Sequence, residues 1–156
     1  MTEYQASDVI FAVVSIPFIL IGMVGNILVI YIVCSTRSMH STTNFLLVNL
    51  AISDFLTLLL WPFHWQIWWR QRPLTGEIGN FLCKTFTGVS ILDILYVVSS
   101  FTLTALAIER YHAIMKPFRT GLRLSEENIK LVIGVIWLSS ILVCLPDFIL
   151  RELDSN

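Results

Sequence analysis

The stretch that decides the fold comes early: residues 9–34 read VIFAVVSIPFILIGMVGNILVIYIVC and contain no Asp, Glu, Lys or Arg. An α-helix rises 1.5 Å per residue, so roughly 20 apolar residues cross about 30 Å of hydrocarbon. Three later stretches, residues 45–69, 86–108 and 131–150, are also at least 20 residues long and almost free of charge. The sequence therefore predicts an all-α integral membrane protein with four transmembrane helices.

The overall composition supports a lipid bilayer as the solvent of this chain. Its residues are 56% hydrophobic and 13% charged, with a mean hydropathy of +0.77. This is too apolar for a soluble domain, and it excludes a nucleic-acid-binding module, a secreted disulfide scaffold and a disordered tail. The sequence has no paired-carboxylate, Ser-His-Asp or metal-ligand spacing, so we expect neither an enzyme nor a metal centre.

The distribution of charge predicts that the N-terminus lies outside the cell. With residues 1–8, the loop 70–85 and the C-terminal stub 151–156 outside, the inner loops 35–44 and 109–130 hold six of the ten Lys and Arg residues. Positive charge favours the cytoplasmic side of a membrane. We therefore expect a multi-pass protein of the plasma membrane with both ends outside.

Two acidic residues lie away from the ends of the predicted spans, where an ionised carboxylate is costly without a partner, water or an ion. Asp54 lies near the middle of the second span, and Asn26 of the first span is its predicted polar neighbour, with Gly25 and Gly22 allowing close approach. A hydrogen bond that only joins helices is the alternative. Asp93, in the outer half of the third span, either pairs with a cationic group of a ligand or satisfies a neighbouring helix.

Four tryptophans gather at the outer end of the second span: Trp61, Trp65, Trp68 and Trp69. An aromatic belt at the membrane interface is the default interpretation. A ligand-contacting aromatic wall that includes Trp65 is the alternative.

The third span ends in Glu109-Arg110-Tyr111. This sequence places a guanidinium at the membrane boundary beside a carboxylate that can neutralise it. A proton on Glu109 or a helix movement would free Arg110 for another partner. An ordinary positive-inside anchor is the alternative.

Together these motifs resemble the first four helices of a rhodopsin-like (class A) G protein-coupled receptor. The resemblance rests on Gly25-Asn26, Asn49-Leu50-Ala51-Ile52-Ser53-Asp54, Cys83-Lys84, Glu109-Arg110-Tyr111, Trp137 and Pro146. It covers essentially the whole chain. The segments Asn80-Phe81-Leu82-Cys83-Lys84 and Phe101-Thr102-Leu103-Thr104-Ala105-Leu106 resemble the neuropeptide-receptor branch.

The resemblance implies a role for individual residues. Asp54 and Ser99 would form half of an allosteric sodium pocket, with no other cofactor, and Asn49 would brace Trp137. Arg110, released from Glu109, would engage a heterotrimeric G protein. The remaining implied positions are the G-protein contacts Tyr111, Pro117 and Phe118, the disulfide cysteine Cys83, the packed residue Leu103, and the ligand contacts Asp93 and Trp65.

The family pattern continues beyond this sequence with three more helices, which would carry the disulfide partner of Cys83 and most of the ligand cavity. We therefore expect a receptor fragment that does not signal alone, and whose full form binds an extracellular ligand of the peptide class. The alternative is a naturally truncated receptor that modulates other receptor chains and is retained in the endoplasmic reticulum. A small four-helix transporter or channel would need Asp54 and Asp93 to line one aqueous path.

Overall fold

The computed structural model describes residues 6–70, 91–115 and 126–154, and within them the side-chain packing of residues 13–62, 91–115 and 128–146. Its elements are α1 (Ala6–Ser35), a short 3-10 helix (Arg37–Met39), α2 (Thr42–Arg70), α3 (Ile91–Met115) and α4 (Glu126–Asp154). The described part of the chain contains no strand, which confirms the all-α prediction.

Each of the four α-helices contains a segment that is long and apolar enough to cross a membrane. These segments are Val13–Ser35, Thr42–Pro62, Ile91–Met115 and Asn128–Pro146. The helices also extend past the spans predicted from hydropathy: α3 runs to Met115 rather than 108, and α4 begins at Glu126 rather than 131. A helix need not end where its side chains become charged, and acidic residues in a first turn stabilise a helix N-terminus.

A tight inner turn joins α1 to α2. The 3-10 helix is closed by a backbone hydrogen bond from His40 N to Arg37 O (3.2 Å). Ser41 precedes α2, and its Oγ accepts a hydrogen bond from Asn44 N (3.3 Å), as an N-cap serine does. The Asn44 side chain donates back to Met39 O (2.7 Å), which ties the turn to the start of α2. This short connection makes α1 and α2 antiparallel neighbours.

The best-packed part of the described bundle lies where α2, α3 and α4 meet. Leu46, Val98, Ile129 and Ile136 form its buried apolar cluster, and Trp137 packs against it while partly buried. In contrast, no residue is buried in the most apolar part of the membrane segment of α1. Apolar surface on a membrane helix needs no protein cover because lipid tails solvate it.

The helices α1 and α2 pack closely at Gly22. A Cβ atom built on Gly22 would lie 2.7 Å from Leu58 Cδ1, whereas one built on Gly25 would meet nothing within 4 Å. Of the two glycines predicted to allow close packing, Gly22 and Gly25, Gly22 therefore lies against α2.

Candidate functional site

The half-buried carboxylate of Asp54 lies at the interface between α2 and α3. Ser99 on α3 donates its hydroxyl to Asp54 Oδ1 at 2.9 Å. The hydroxyl of Ser53, which is fully buried, lies 2.9 Å from the Ser99 hydroxyl and 2.8 Å from the carbonyl oxygen of Leu50. The two serines therefore form a short chain of oxygens that ends at the carboxylate.

Asn26, predicted to donate to Asp54, donates instead to the carbonyl oxygen of Gly22 (2.9 Å), one turn earlier in α1. A short amide side chain in a helix reaches this i−4 carbonyl within its own helix. The described partner of Asp54 is thus on α3 rather than on α1.

A second group of polar residues joins α2, α3 and α4. It lies about one turn of α2 closer to the inner side than Asp54. Asn49, only 5% exposed, accepts a hydrogen bond from Trp137 Nε1 on α4 (3.0 Å). Its Nδ2 donates to Thr102 Oγ1 on α3 (2.8 Å), and Thr102 donates in turn to Val98 O (2.7 Å). Each polar atom of this group therefore has a partner away from lipid, as the membrane interior requires.

At the inner end of α3, Glu109 and Arg110 have different surroundings. Glu109 is 6% exposed, and its Oε1 accepts a hydrogen bond from Thr42 Oγ1 at the start of α2 (3.3 Å). Arg110 is exposed, and Tyr111 is 53% exposed with its ring against His112. The carboxylate is therefore tied to α2, whereas the guanidinium remains accessible. The predicted pairing of Glu109 with Arg110 stays a prediction.

The other predicted positions are less constrained by the structure. Asp93 is exposed in the first turn of α3 and has an interaction partner, and Pro146 lies within α4. Leu103 is 54% exposed in the described bundle, so its packing stays a prediction. Neighbouring helix positions differ by about 100°, so burial of Thr102 turns Leu103 outward. Cys83, Pro117, Phe118 and the side chain of Trp65 lie outside the described residues.

Three residues of these polar groups carried no prediction: Thr42, Ser53 and Thr102. They share a spacing that could have revealed them. On α2 the polar partners are Thr42, Asn49 and Ser53, and on α3 they are Ser99, Thr102 and Glu109. Steps of seven, four or three residues return to one face of a helix.

No group of three or more His, Cys, Asp or Glu side chains comes together in the described residues. By fold and site, the chain is a helical multi-pass membrane protein in which polar side chains join α2, α3 and α4. Residues 25–156 match the family model described as 7 transmembrane receptor (rhodopsin family). The chain belongs to this family.

Several curated relatives are similar over most of the chain. It is 36% identical to growth hormone secretagogue receptor type 1 of Sus scrofa over 90% of its own length and 37% of that receptor. It is 33% identical to neuromedin-U receptor 2 of Homo sapiens over 87% of its length and 32% of that receptor. It is also 33% identical to a Gq-coupled rhodopsin of Mizuhopecten yessoensis, over 83% of its length and 25% of that protein. The chain therefore spans between a quarter and two fifths of the length of these relatives.

Proposed function

We propose that this chain forms the first four membrane helices of a plasma-membrane receptor that senses an extracellular peptide and activates a heterotrimeric G protein. Membership of the rhodopsin family supports the receptor class. Similarity to receptors named for neuromedin U and for growth hormone secretagogues favours a peptide ligand. The observation that carries the proposal is the inner end of α3, where Glu109 is held against Thr42 and Arg110 is exposed.

The inner end of α3 suits a switch that engages a partner in the cytoplasm. Arg110 presents a permanent positive charge with five donors, which is the geometry that binds carboxylates and carbonyl oxygens of a protein surface. Glu109 is hydrogen-bonded to α2, which restrains α3 against α2 at this end, while Arg110 is exposed. Tyr111, also exposed, would add contact area beside it. Pro117 and Phe118 would extend this G-protein contact along the loop.

The outer end of α3 would take part in ligand binding. Asp93 is exposed in the first turn of α3, at the end of the helix opposite Arg110. With the N-terminus outside, this end faces the extracellular side, where a carboxylate attracts a cationic group of a peptide. Trp65 would provide an aromatic contact on α2.

A sodium ion is the expected allosteric ligand at Asp54. Hard cations take oxygen ligands, and Asp54 with Ser99 supplies a carboxylate and a hydroxyl at one point between α2 and α3. Neither of these two described residues is a His or Cys, the ligands that favour transition metals. A bound cation would neutralise the carboxylate and hold α2 and α3 together, favouring the inactive arrangement.

The switch is tested by Arg110→Ala in a full-length receptor that carries this chain. Membranes are exposed to neuromedin U or to a growth hormone secretagogue, and nucleotide exchange on the G protein is measured. We expect Arg110→Ala to abolish stimulated exchange with surface expression near that of the unchanged receptor. Arg37→Ala removes another exposed arginine from the inner side and should leave exchange intact. Equal exchange in Arg110→Ala and the unchanged receptor would contradict the assignment.

The cation site is tested by Asp54→Asn in the same receptor. Sodium should lower agonist affinity in the unchanged receptor, because it favours the inactive state. Asp54→Asn removes the negative charge with little change in side-chain volume, so the sodium effect should disappear. A sodium effect of unchanged size would count against Asp54 as its ligand. The truncated-receptor alternative stays a prediction.

A further inference from the structure

The two serine hydroxyls that lead to Asp54 have fewer protons to donate than they have hydrogen-bond contacts. Three distances are short enough for hydrogen bonds: Ser53 Oγ to Leu50 O at 2.8 Å, Ser53 Oγ to Ser99 Oγ at 2.9 Å, and Ser99 Oγ to Asp54 Oδ1 at 2.9 Å. A carbonyl oxygen and an ionised carboxylate only accept hydrogen bonds, and each hydroxyl has one proton to donate. Two protons therefore serve three contacts.

Two arrangements place a proton between the serine hydroxyls. In the first, Ser53 donates to Ser99 and Ser99 donates to Asp54, so both protons point toward the carboxylate. In the second, Ser99 donates to Ser53 and Ser53 donates to the Leu50 carbonyl, so both point away from it. The two arrangements use the same heavy-atom positions and interconvert by rotation of two hydroxyl groups.

The charge at Asp54 selects between these arrangements. A carboxylate without a cation attracts the Ser99 proton, which favours the first arrangement. A cation at the carboxylate repels that proton and needs a lone pair from Ser99 Oγ, which favours the second. Ser99 can turn its proton away without losing a hydrogen bond only if another acceptor is within reach, and Ser53 Oγ provides one at 2.9 Å.

We propose that Ser53 is a positioning residue for a monovalent cation at Asp54: it accepts the Ser99 proton when the cation binds and passes its own proton to the Leu50 carbonyl. The inference rests on the cation site described under the proposed function. Ser53 is fully buried, so water does not replace its hydroxyl easily. Thr57 does not compete for this role, because its hydroxyl donates to the backbone carbonyl of Ser53 (2.8 Å).

The test measures sodium binding directly on the 156-residue chain in lipid nanodiscs. Sodium-23 NMR linewidths are titrated with NaCl against N-methyl-glucamine chloride at constant ionic strength, and circular dichroism checks that each variant is folded. We expect Ser53→Ala to weaken sodium binding about fivefold to tenfold, the equivalent of one buried hydrogen bond. Asp54→Asn should abolish the binding, and Ser53→Thr, which keeps the hydroxyl, should retain it.

Ser140→Ala is the matched control. Ser140 is as fully buried as Ser53, but its hydroxyl donates only within α4, to Ile136 O (2.7 Å). Sodium binding should be unchanged in this variant. If Ser53→Ala does not fold, Ser53→Cys replaces it: a thiol is a weak acceptor of similar size, so binding should again weaken.

The outcomes separate the positioning role from the cation site. Unchanged binding in the folded Ser53 variants, together with its loss in Asp54→Asn, would overturn the role of Ser53 and leave the site standing. An equal weakening in Ser140→Ala would also overturn that role. Absence of sodium binding by the unchanged chain would overturn the cation site in this chain and the inference with it.

Discussion

Replacing Asn49 by Leu is expected to weaken the three-helix junction by a calculable amount. Asn49 is 5% exposed and makes two interhelical hydrogen bonds, from Trp137 Nε1 at 3.0 Å and to Thr102 Oγ1 at 2.8 Å. Interhelical hydrogen bonds in membrane proteins contribute about 0.6 kcal/mol on average and up to about 1.7. Loss of both bonds should therefore lower the free energy of unfolding by about 1 to 3 kcal/mol. Trp137→Phe removes one hydrogen-bond donor and should lower the free energy of unfolding by about 0.6 kcal/mol. The smaller phenylalanine ring should lower it further through lost packing.

A double-mutant cycle isolates the bond between Asn49 and Trp137. The four chains are unfolded reversibly in mixed micelles with increasing SDS, and helix content is followed by far-UV circular dichroism. The two changes should be non-additive by about 0.6 kcal/mol, and at most about 1.7, because the shared bond can be lost only once. A second cycle that combines Asn49→Leu with Thr104→Val is the control. Thr104 is exposed and donates within its own helix to Ser100 O, so these two effects should add. Additive effects of Asn49→Leu and Trp137→Phe would refute the reasoning.

Two further predictions concern the contacts of α2. Gly22→Ala should lower the free energy of unfolding by about 1 kcal/mol relative to Gly25→Ala, because only the first meets a neighbour, Leu58 Cδ1 at 2.7 Å. Leu58→Ala should remove that difference, and a difference that persists would show that Leu58 is not its cause. Thr42→Val removes the donor to Glu109 and should raise ligand-independent nucleotide exchange in a full-length receptor by about threefold, the equivalent of one weak bond. Unchanged basal exchange would argue against a restraint at this point.

Much of the fold was readable from the sequence because lipid imposes a single requirement on it. A run of apolar residues long enough to cross the membrane must satisfy its own backbone, and a helix does so. The same signal could not locate the helix ends, since Glu126 and the residues after Ile108 extend helices beyond the apolar runs. Hydropathy reports where side chains meet lipid and carries no information on where backbone hydrogen bonding stops.

The partners of the buried polar residues were less predictable. Asp54 and Asn26 were expected to meet because both lie at mid-depth in adjacent helices. The structure instead pairs Asp54 with Ser99 and satisfies Asn26 within α1. Depth follows from position in the sequence, but a partner depends on the rotation of each helix, and one residue changes that by about 100°. Ser53 is inconspicuous for a further reason, because a serine in a membrane helix usually satisfies itself on a preceding carbonyl.

The polar contacts between α2 and α3 nevertheless follow a simple rule that a sequence could be searched for. From Asn49 and Thr102, seven residues back along α2 and seven forward along α3 lead to Thr42 and Glu109. In the other direction, four residues along α2 and three back along α3 lead to Ser53 and Ser99. Equal or nearly equal steps in opposite directions are the signature of two antiparallel helices held in one register.

These polar contacts between α2 and α3 explain why the two helices keep one arrangement in lipid. Lipid tails are as apolar as leucine, so burial of apolar side chains provides little force to fix the rotation of one membrane helix against another. Hydrogen bonds do provide it, because a slip of one residue would turn each polar side chain by about 100° away from its partner. Asp54 and Glu109 both bond across this same interface. A cation at Asp54, as proposed above, and a movement at Glu109 would therefore act on one pair of helices whose register is already set. This is the physical requirement for one end to influence the other.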